Sequence, residues 1–176
     1  MGSKQVIYTI GHSNRTIEKF VDLLRAHGIR KLVDVRTIPR SRHNPQFNQG
    51  ELRASLARAR IGYRHLEALG GLRHTRPDSV NTGWRNSSFR GFADYMQTDE
   101  FSEGLVSLEE MARKQPTVVM CAEGNPWRCH RSLIADALTK RKWQVLEISS
   151  RRTARLHKLT SFLRVRKGRL VYPPAT

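Results

Sequence analysis

Apolar positions fall into short dense runs separated by polar loops, and the period of each run predicts its element. Gln5–Ile10 (QVIYTI) is β-branched and aromatic and ends at Gly11, the pattern of a strand. Lys31–Arg36 (KLVDVR) is short and mixed. Thr117–Cys121 (TVVMC) is almost wholly apolar, as expected for a strand covered on both faces. Gln144–Ile148 (QVLEI) follows as a further strand, and Gly62–Leu66 carries a fainter pattern. Arg169–Tyr172 is expected as a short edge strand stopped by Pro173 and Pro174.

Between these runs the spacing turns helical. Thr16 is placed to cap a helix whose Ile17, Phe20, Val21 and Leu24 share one face, with Gly28 ending it. Asn48 and Glu51 resemble a capping box ahead of Leu52 and Leu56. Phe101, Leu105, Leu108, Met111 and Ala112 form another apolar stripe, with Pro116 beyond its end. Asn125-Pro126 gives the clearest start, a capping residue and then proline at the first helical position, for a helix expected to run to about Lys142. The alternation predicts a three-layer, Rossmann-like α/β fold with a mostly parallel sheet and helices on both faces. One domain over residues 1–176 is expected, with an irregular loop at about 70–91 and a basic segment from about 149. That loop exceeds ordinary length, so it reads as a functional lid or as a mobile insertion.

Charge adds a second constraint. The chain has 32 Lys and Arg against 15 Asp and Glu, a formal charge of +17. From Ser149 onward there is no acidic residue, and between Arg36 and Arg64 only Glu51 is acidic. Such a field attracts polyanions, nucleic acid or a nucleotide-like small molecule first; charge carried only for solubility is the alternative. Two cysteines make no disulfide framework, so a reducing, cytoplasmic setting is expected. No run reaches the roughly 20 apolar residues of a membrane span, and Met1–Lys4 does not read as a secretory leader.

In an open parallel sheet, ligands sit beyond the carboxyl ends of the strands. Three loops are expected there: Gly11–Arg15, Asp34–Ser41 and Cys121–Arg131. Each mixes small residues, hydrogen-bonding side chains and arginine, and two feed helix N-termini, which favour an anion. Ser13, Arg36, Arg128 and Arg131 are the candidate anion-binding residues, with a solvated basic rim as the alternative. Cys121 reads either as a nucleophile beside arginines or as a small buried hydrophobe. Six residues separate it from Arg128 and Pro126 removes an N–H, which departs from the phosphate loop of tyrosine phosphatases and from the sulfur-transfer loop of rhodaneses. Glu123 reads as a general acid or base, or as an ion-pair partner of Arg131 or Arg36. His12 reads as a proton carrier or as part of a turn. Asp34 is expected to orient its own loop, a base or a ribose contact being the other options. Cys129 is expected on the first helical turn in a structural role. Trp84 and Trp127 flank the face and could stack a base, whereas Trp143 reads as core. His12, Cys121, Glu123, Cys129 and His130 offer ligand atoms for a metal, but no diagnostic metal spacing is present.

Several of these motifs together resemble the domain of unknown function 488 family: Gly11-His12-Ser13, Asp34-Val35-Arg36 with Pro39, Cys121-Ala122-Glu123 with Cys129-His130-Arg131, and the tail His157, Leu159-Thr160 and Leu170–Pro173. The resemblance runs from about Ile7 to Pro173 and implies an α/β domain without an assigned reaction. The expected function is therefore argued from the site. The leading reading is an enzyme, or a degenerate one, that holds a phosphate-bearing or nucleic-acid-derived anion on Arg36, Arg128 and Arg131, with Cys121, Glu123 or His12 doing chemistry. A non-catalytic nucleic-acid-binding module using the basic tail, and a metal-dependent protein using His12, Cys121 and Glu123, are the alternatives. No cofactor is specified.

Overall fold

Two strands carry the middle of the sheet. β1 (Val6–Gly11) and β4 (Thr117–Cys121) pair in parallel with Gly11 opposite Cys121, so their carboxyl ends are level. The computed structural model describes residues 4–175; the expectation that the chain opens without a leader falls partly on Met1–Ser3, outside the described residues. β2 (Lys31–Asp34) and β3 (Gly62–His65) extend the sheet on one side, and β5 (Gln144–Ile148) extends it on the other, all parallel. β6 (Ala154–Leu156) closes that second side antiparallel to β5. Among the described residues the main sheet thus has six strands in the order β3-β2-β4-β1-β5-β6.

Side chains alternate along each strand, so successive residues serve opposite cores. Ile10, Leu32, Val118 and Met120 pack against α1 (Ile17–Ala26) and α2 (Gln49–Arg58) through Phe20, Leu24, Leu52 and Leu56. Ile7, Val33, Val119 and Val145 pack on the other face against α3 (Ser87–Tyr95), α4 (Asp99–Lys114) and α5 (Arg131–Lys140). This is the expected three-layer, Rossmann-like arrangement. No described helix is long and apolar enough to cross a membrane.

Local expectations fare differently. Thr16 caps α1 by accepting from the Lys19 N–H, and Gly28 ends the turn at φ 71°. Asn48 makes no capping bond to α2; its Oδ1 accepts from the Ser41 N–H at 2.8 Å, because the preceding loop folds back over the helix start. Asn125-Pro126 opens only a short 3-10 turn, Pro126–Arg128. Cys129 is extended (φ −130°, ψ 143°), so the chain is redirected and α5 begins at Arg131. The expected edge strand at Arg169 is β8 (Arg169–Val171), but it pairs with β7 (Arg164–Arg166) in a separate hairpin. Neither β6 nor β7 carries an apolar alternation, since both are short and largely exposed.

The irregular stretch ends at Asn86, which caps the unforeseen α3 through the Ser88 and Phe89 N–H groups. It is stapled rather than loose. Asp94 of α3 accepts from the Arg76 N–H, the Ser79 hydroxyl and the Asn81 amide, and the Asn81 Oδ1 accepts from the Tyr172 N–H. The tail is fixed likewise: fully buried Asp136 on α5 is hydrogen-bonded to His157 Nε2 (2.7 Å), the Thr160 N–H (3.1 Å) and the Tyr172 hydroxyl (2.8 Å). Replacing Asp136 by Ala leaves three buried partners unsatisfied and is expected to cost on the order of 3 kcal/mol, whereas Tyr172→Phe is expected to cost about 1 kcal/mol. Urea denaturation followed by circular dichroism checks both; equal midpoints for Asp136→Ala and the wild type would contradict the anchoring role.

Candidate functional site

Register and alternation assemble the site. Thr9 lies opposite Glu147 and Gly11 opposite Cys121, and these residues face α5 at the carboxyl edge of the sheet. The loop after β1 runs along the loop after β4: the His12 N–H bonds the Cys121 carbonyl and the Ser13 N–H bonds that of Ala122, both at 2.9 Å. Only glycine fits at position 11. A Cβ there would stand 1.8 Å from the Glu123 carbonyl oxygen and 2.9 Å from Arg131 Nη1. Ser13 takes φ 52° to make the turn, which sets its side chain against Gly124.

Arg131 occupies the centre and is 1% exposed. Its Nε and Nη2 grip Glu147, the latter at 2.5 Å from Oε1. Nη1 donates to Cys121 Sγ at 2.7 Å and to the Glu123 carbonyl, and Nη2 also reaches the Gly124 carbonyl at 3.1 Å. All five donor hydrogens are thereby engaged within the chain. Burial by itself lowers the tendency of Arg131 to hold its proton, but Cys121 and Glu147 beside it raise its pKa above the ordinary value. Arg36 is similarly held: Nε and Nη2 pair bidentately with Asp34 at 2.9 and 2.7 Å, and Nη2 also bonds the Phe47 carbonyl. Asp34 also accepts from the Arg36 N–H at 3.1 Å and from the Tyr63 hydroxyl at 2.6 Å.

His12 is stacked on Phe47 with ring centroids 4.2 Å apart. Its Nδ1 donates to the Ser13 carbonyl at 2.8 Å, which leaves Nε2 to accept from Arg36 Nη1 at 3.4 Å. Burial, with Arg36 and Arg15 nearby, pushes its pKa down to about 4. Glu123 is exposed, and its carboxylate accepts from the Asn125 N–H rather than pairing with Arg131 or Arg36. Cys121 is 1% exposed, and burial raises its thiol well above the ordinary range. Cys129, 7% exposed, is shifted well downward by the neighbouring Cys121 and by His130. Among the described residues no three His, Cys, Asp or Glu side chains group as metal ligands.

His12, Asp34, Arg36, Cys121, Glu123 and Arg131 lie around one edge of the sheet but do not share one concavity: Arg36, Cys121 and Glu123 line one cavity, Arg131 another, and His12 and Asp34 neither. One, of about 330 Å³, lies over the ends of β2 and β4 and is lined by Arg36, Arg40, Arg128, Cys129 and His130 among others. The larger, of about 760 Å³, lies over the ends of β1 and β5, with Arg15, Trp127, Glu147, Arg155, His157 and Lys158 in its lining. Trp127 is 54% exposed and lies near-parallel to His157, at 6.1 Å and 29°. Trp84 instead packs among Phe89, Phe162 and Tyr172, and Trp143 is buried with its N–H on Glu109. Of the residues lining the larger cavity, Arg15 falls in the first expected loop and Arg155 and Lys158 in the expected basic segment, whereas Glu147 was not anticipated. The available signal for Glu147 was its position, a charge inside an otherwise apolar strand and the last acid before the basic tail.

Fold and site define an open, doubly wound α/β protein whose polar loops gather at the carboxyl edge of a mostly parallel sheet. The chain belongs to the Domain of unknown function DUF488 family, whose model matches residues 16–138. That span holds the second and third motifs and leaves out Gly11-His12-Ser13 and the tail. No curated protein and no solved structure matches the chain.

The depressed His12 pKa has a consequence for stability. Between about 6.5 and about 4 the unfolded imidazole binds a proton that the folded one refuses. Stability is therefore expected to fall as pH drops through that window, by up to about 3 kcal/mol, and to level off below it. His12→Asn keeps a donor toward Ser13 and does not titrate there. Urea denaturation from pH 7 to pH 4 should show a shallower loss for this variant, and parallel curves would exclude a buried neutral His12.

Proposed function

We propose that the chain binds a phosphate-bearing, nucleotide-like anion in the larger cleft, over the ends of β1 and β5. One observation carries this reading: an exposed indole, Trp127, shares a cavity of about 760 Å³ with Arg15, Arg155 and Lys158. That size suits a small-molecule ligand of drug or nucleotide dimensions. A base stacks on the indole, and phosphate oxygens meet the cations of the tail. Arg131 and Arg36 take a supporting role, because their donors hold Glu147, Asp34 and loop carbonyls. Arg128 lines the smaller cavity instead and takes no part in this contact, whereas Ser13 supports the Gly124 turn that borders the cleft. Calorimetric titration with AMP and ATP tests the proposal. Binding is expected in both cases, with Trp127→Ala and Arg155→Ala each weakening it about tenfold, or about 1.4 kcal/mol. Absence of heat, or binding indifferent to both substitutions, would remove it.

A second reading rests on a different surface. The β7–β8 hairpin exposes Arg164, Arg166, Lys167 and Arg169 with no acidic residue nearby in sequence. Such a ribbon suits contact with nucleic-acid phosphates. Fluorescence anisotropy with a single-stranded oligonucleotide should then give an affinity that falls steeply with salt, and neutralising the four residues to Gln should flatten the slope by up to about 3 units. A slope unchanged by that substitution would exclude the hairpin.

A further inference from the structure

The smaller cavity holds a thiol pair that the anion-binding reading does not use. Cys129 follows the 3-10 turn in an extended conformation, which turns its sulfur toward His130 Nδ1 at 3.4 Å. The imidazole is fixed from its far side: Nε2 lies 3.0 Å from the Val35 carbonyl and 3.1 Å from that of Leu69. Carbonyl oxygens only accept, so Nε2 carries the hydrogen and Nδ1 of the neutral ring is the free lone pair facing the thiol. Phe92 holds the ring edge-on with centroids 5.0 Å apart, and Gly71 lies against Nδ1, where a Cβ would come within 2.6 Å.

Around the sulfur the environment favours a thiolate. The Arg131 N–H points at Cys129 Sγ at 3.5 Å, while the guanidinium of the same residue donates to Cys121 Sγ. Arg131 thus touches both sulfurs, and Cys121 Sγ lies 3.5 Å from the Glu123 carbonyl, to which it donates; burial raises the Cys121 thiol, whereas the neighbouring Cys121 and His130 lower that of Cys129. Both cysteines line the cavity, whose remaining wall includes Leu72, Phe89, Arg40 and Arg128.

We propose that Cys129 is an attacking thiol, with His130 as its base and Cys121 as its resolving partner, in a site that exchanges with small anionic disulfides. Two adjacent thiols of unequal acidity suit thiol–disulfide exchange more directly than acyl transfer, which needs only one. The cavity admits a small molecule, and Arg40 and Arg128 set the preference for negative charge. In the first step Cys129 passes its proton to His130 Nδ1 and its sulfur attacks one sulfur of the disulfide. The S–S bond breaks, and the departing thiolate takes the proton from His130 and leaves as a free thiol. In the second step Cys121 attacks Cys129 Sγ; the bond to the bound half breaks, and that half departs with the Cys121 proton. The small disulfide is reduced to two thiols, and the two protein thiols are oxidised to one disulfide. The proposal goes beyond nucleotide binding and is independent of it, since it uses the other cavity.

The full chain with dithiobis(nitrobenzoate), a dianionic disulfide, tests it in the absence of nucleotide. The wild type is expected to release two equivalents of the coloured thiol and to end as an unlabelled intramolecular disulfide by mass. Cys121→Ser should release one equivalent and keep the adduct, mapped to Cys129. His130→Gln, which retains a donor toward Val35 and Leu69, should slow the first step at neutral pH by at least about tenfold. The wild type should also react faster with this reagent than with uncharged dithiodipyridine at low salt, relative to free cysteine, and lose that preference at high salt. An adduct formed first on Cys121, thiols that react only after unfolding, or a His130→Gln rate equal to the wild type would overturn the proposal.

Discussion

The Arg131 guanidinium is the constraint around which the carboxyl edge of the sheet is arranged. A planar cation with five donors is buried to 1% exposure, and Glu147, Cys121 and the carbonyls of Glu123 and Gly124 take up those donors. Removing one partner of such a buried pair leaves an uncompensated charge and typically costs about 3–5 kcal/mol. The partners come from β5 and from β4 together with the loop that directly follows it. The loop after β4 is consequently held close enough to β1 that only glycine fits at position 11.

Arg131 also divides the site. On one side its pairing with Glu147 forms the floor of the cleft that Trp127 and the basic tail enclose. On the other its main-chain N–H and its guanidinium meet the two sulfurs. Rearranging that side chain would therefore disturb both cavities at once, through donors that no ligand need touch. Arg36 does comparable work in the second loop, where Asp34 fixes the guanidinium against the Phe47 carbonyl and beside a neutral His12.

Asp136 and Asn81 explain why the tail belongs to the site. Asp136 on α5 holds His157 and Tyr172, and Asn81 ties Tyr172 to the segment before α3. With His157 anchored, Arg155 and Lys158 stand over the ends of β1 and β5 instead of trailing in solvent. Specific buried hydrogen bonds thus place these cations at the carboxyl edge, in addition to the overall charge of +17.

The sequence by itself determined the strands that are buried on both faces, the α1 cap at Thr16 and its Gly28 stop, and the parallel three-layer arrangement. These follow from local periodicity and from turn chemistry, which act over a few residues. The motif residues at the strand ends were also legible, because the fold class places them there before any contact is known. Tertiary structure decided what those residues do to one another. Glu147 meets Arg131 only through strand pairing and helix packing, and His130 gains its tautomer from carbonyls 95 and 61 residues away in sequence. The break at Cys129 was not legible either: Asn125-Pro126 starts a turn, but Cys129 is extended and the helix resumes only at Arg131. Spacing encodes which face a residue occupies, whereas hydrogen-bond partners brought together by the sheet determine whether its donors remain available for a ligand.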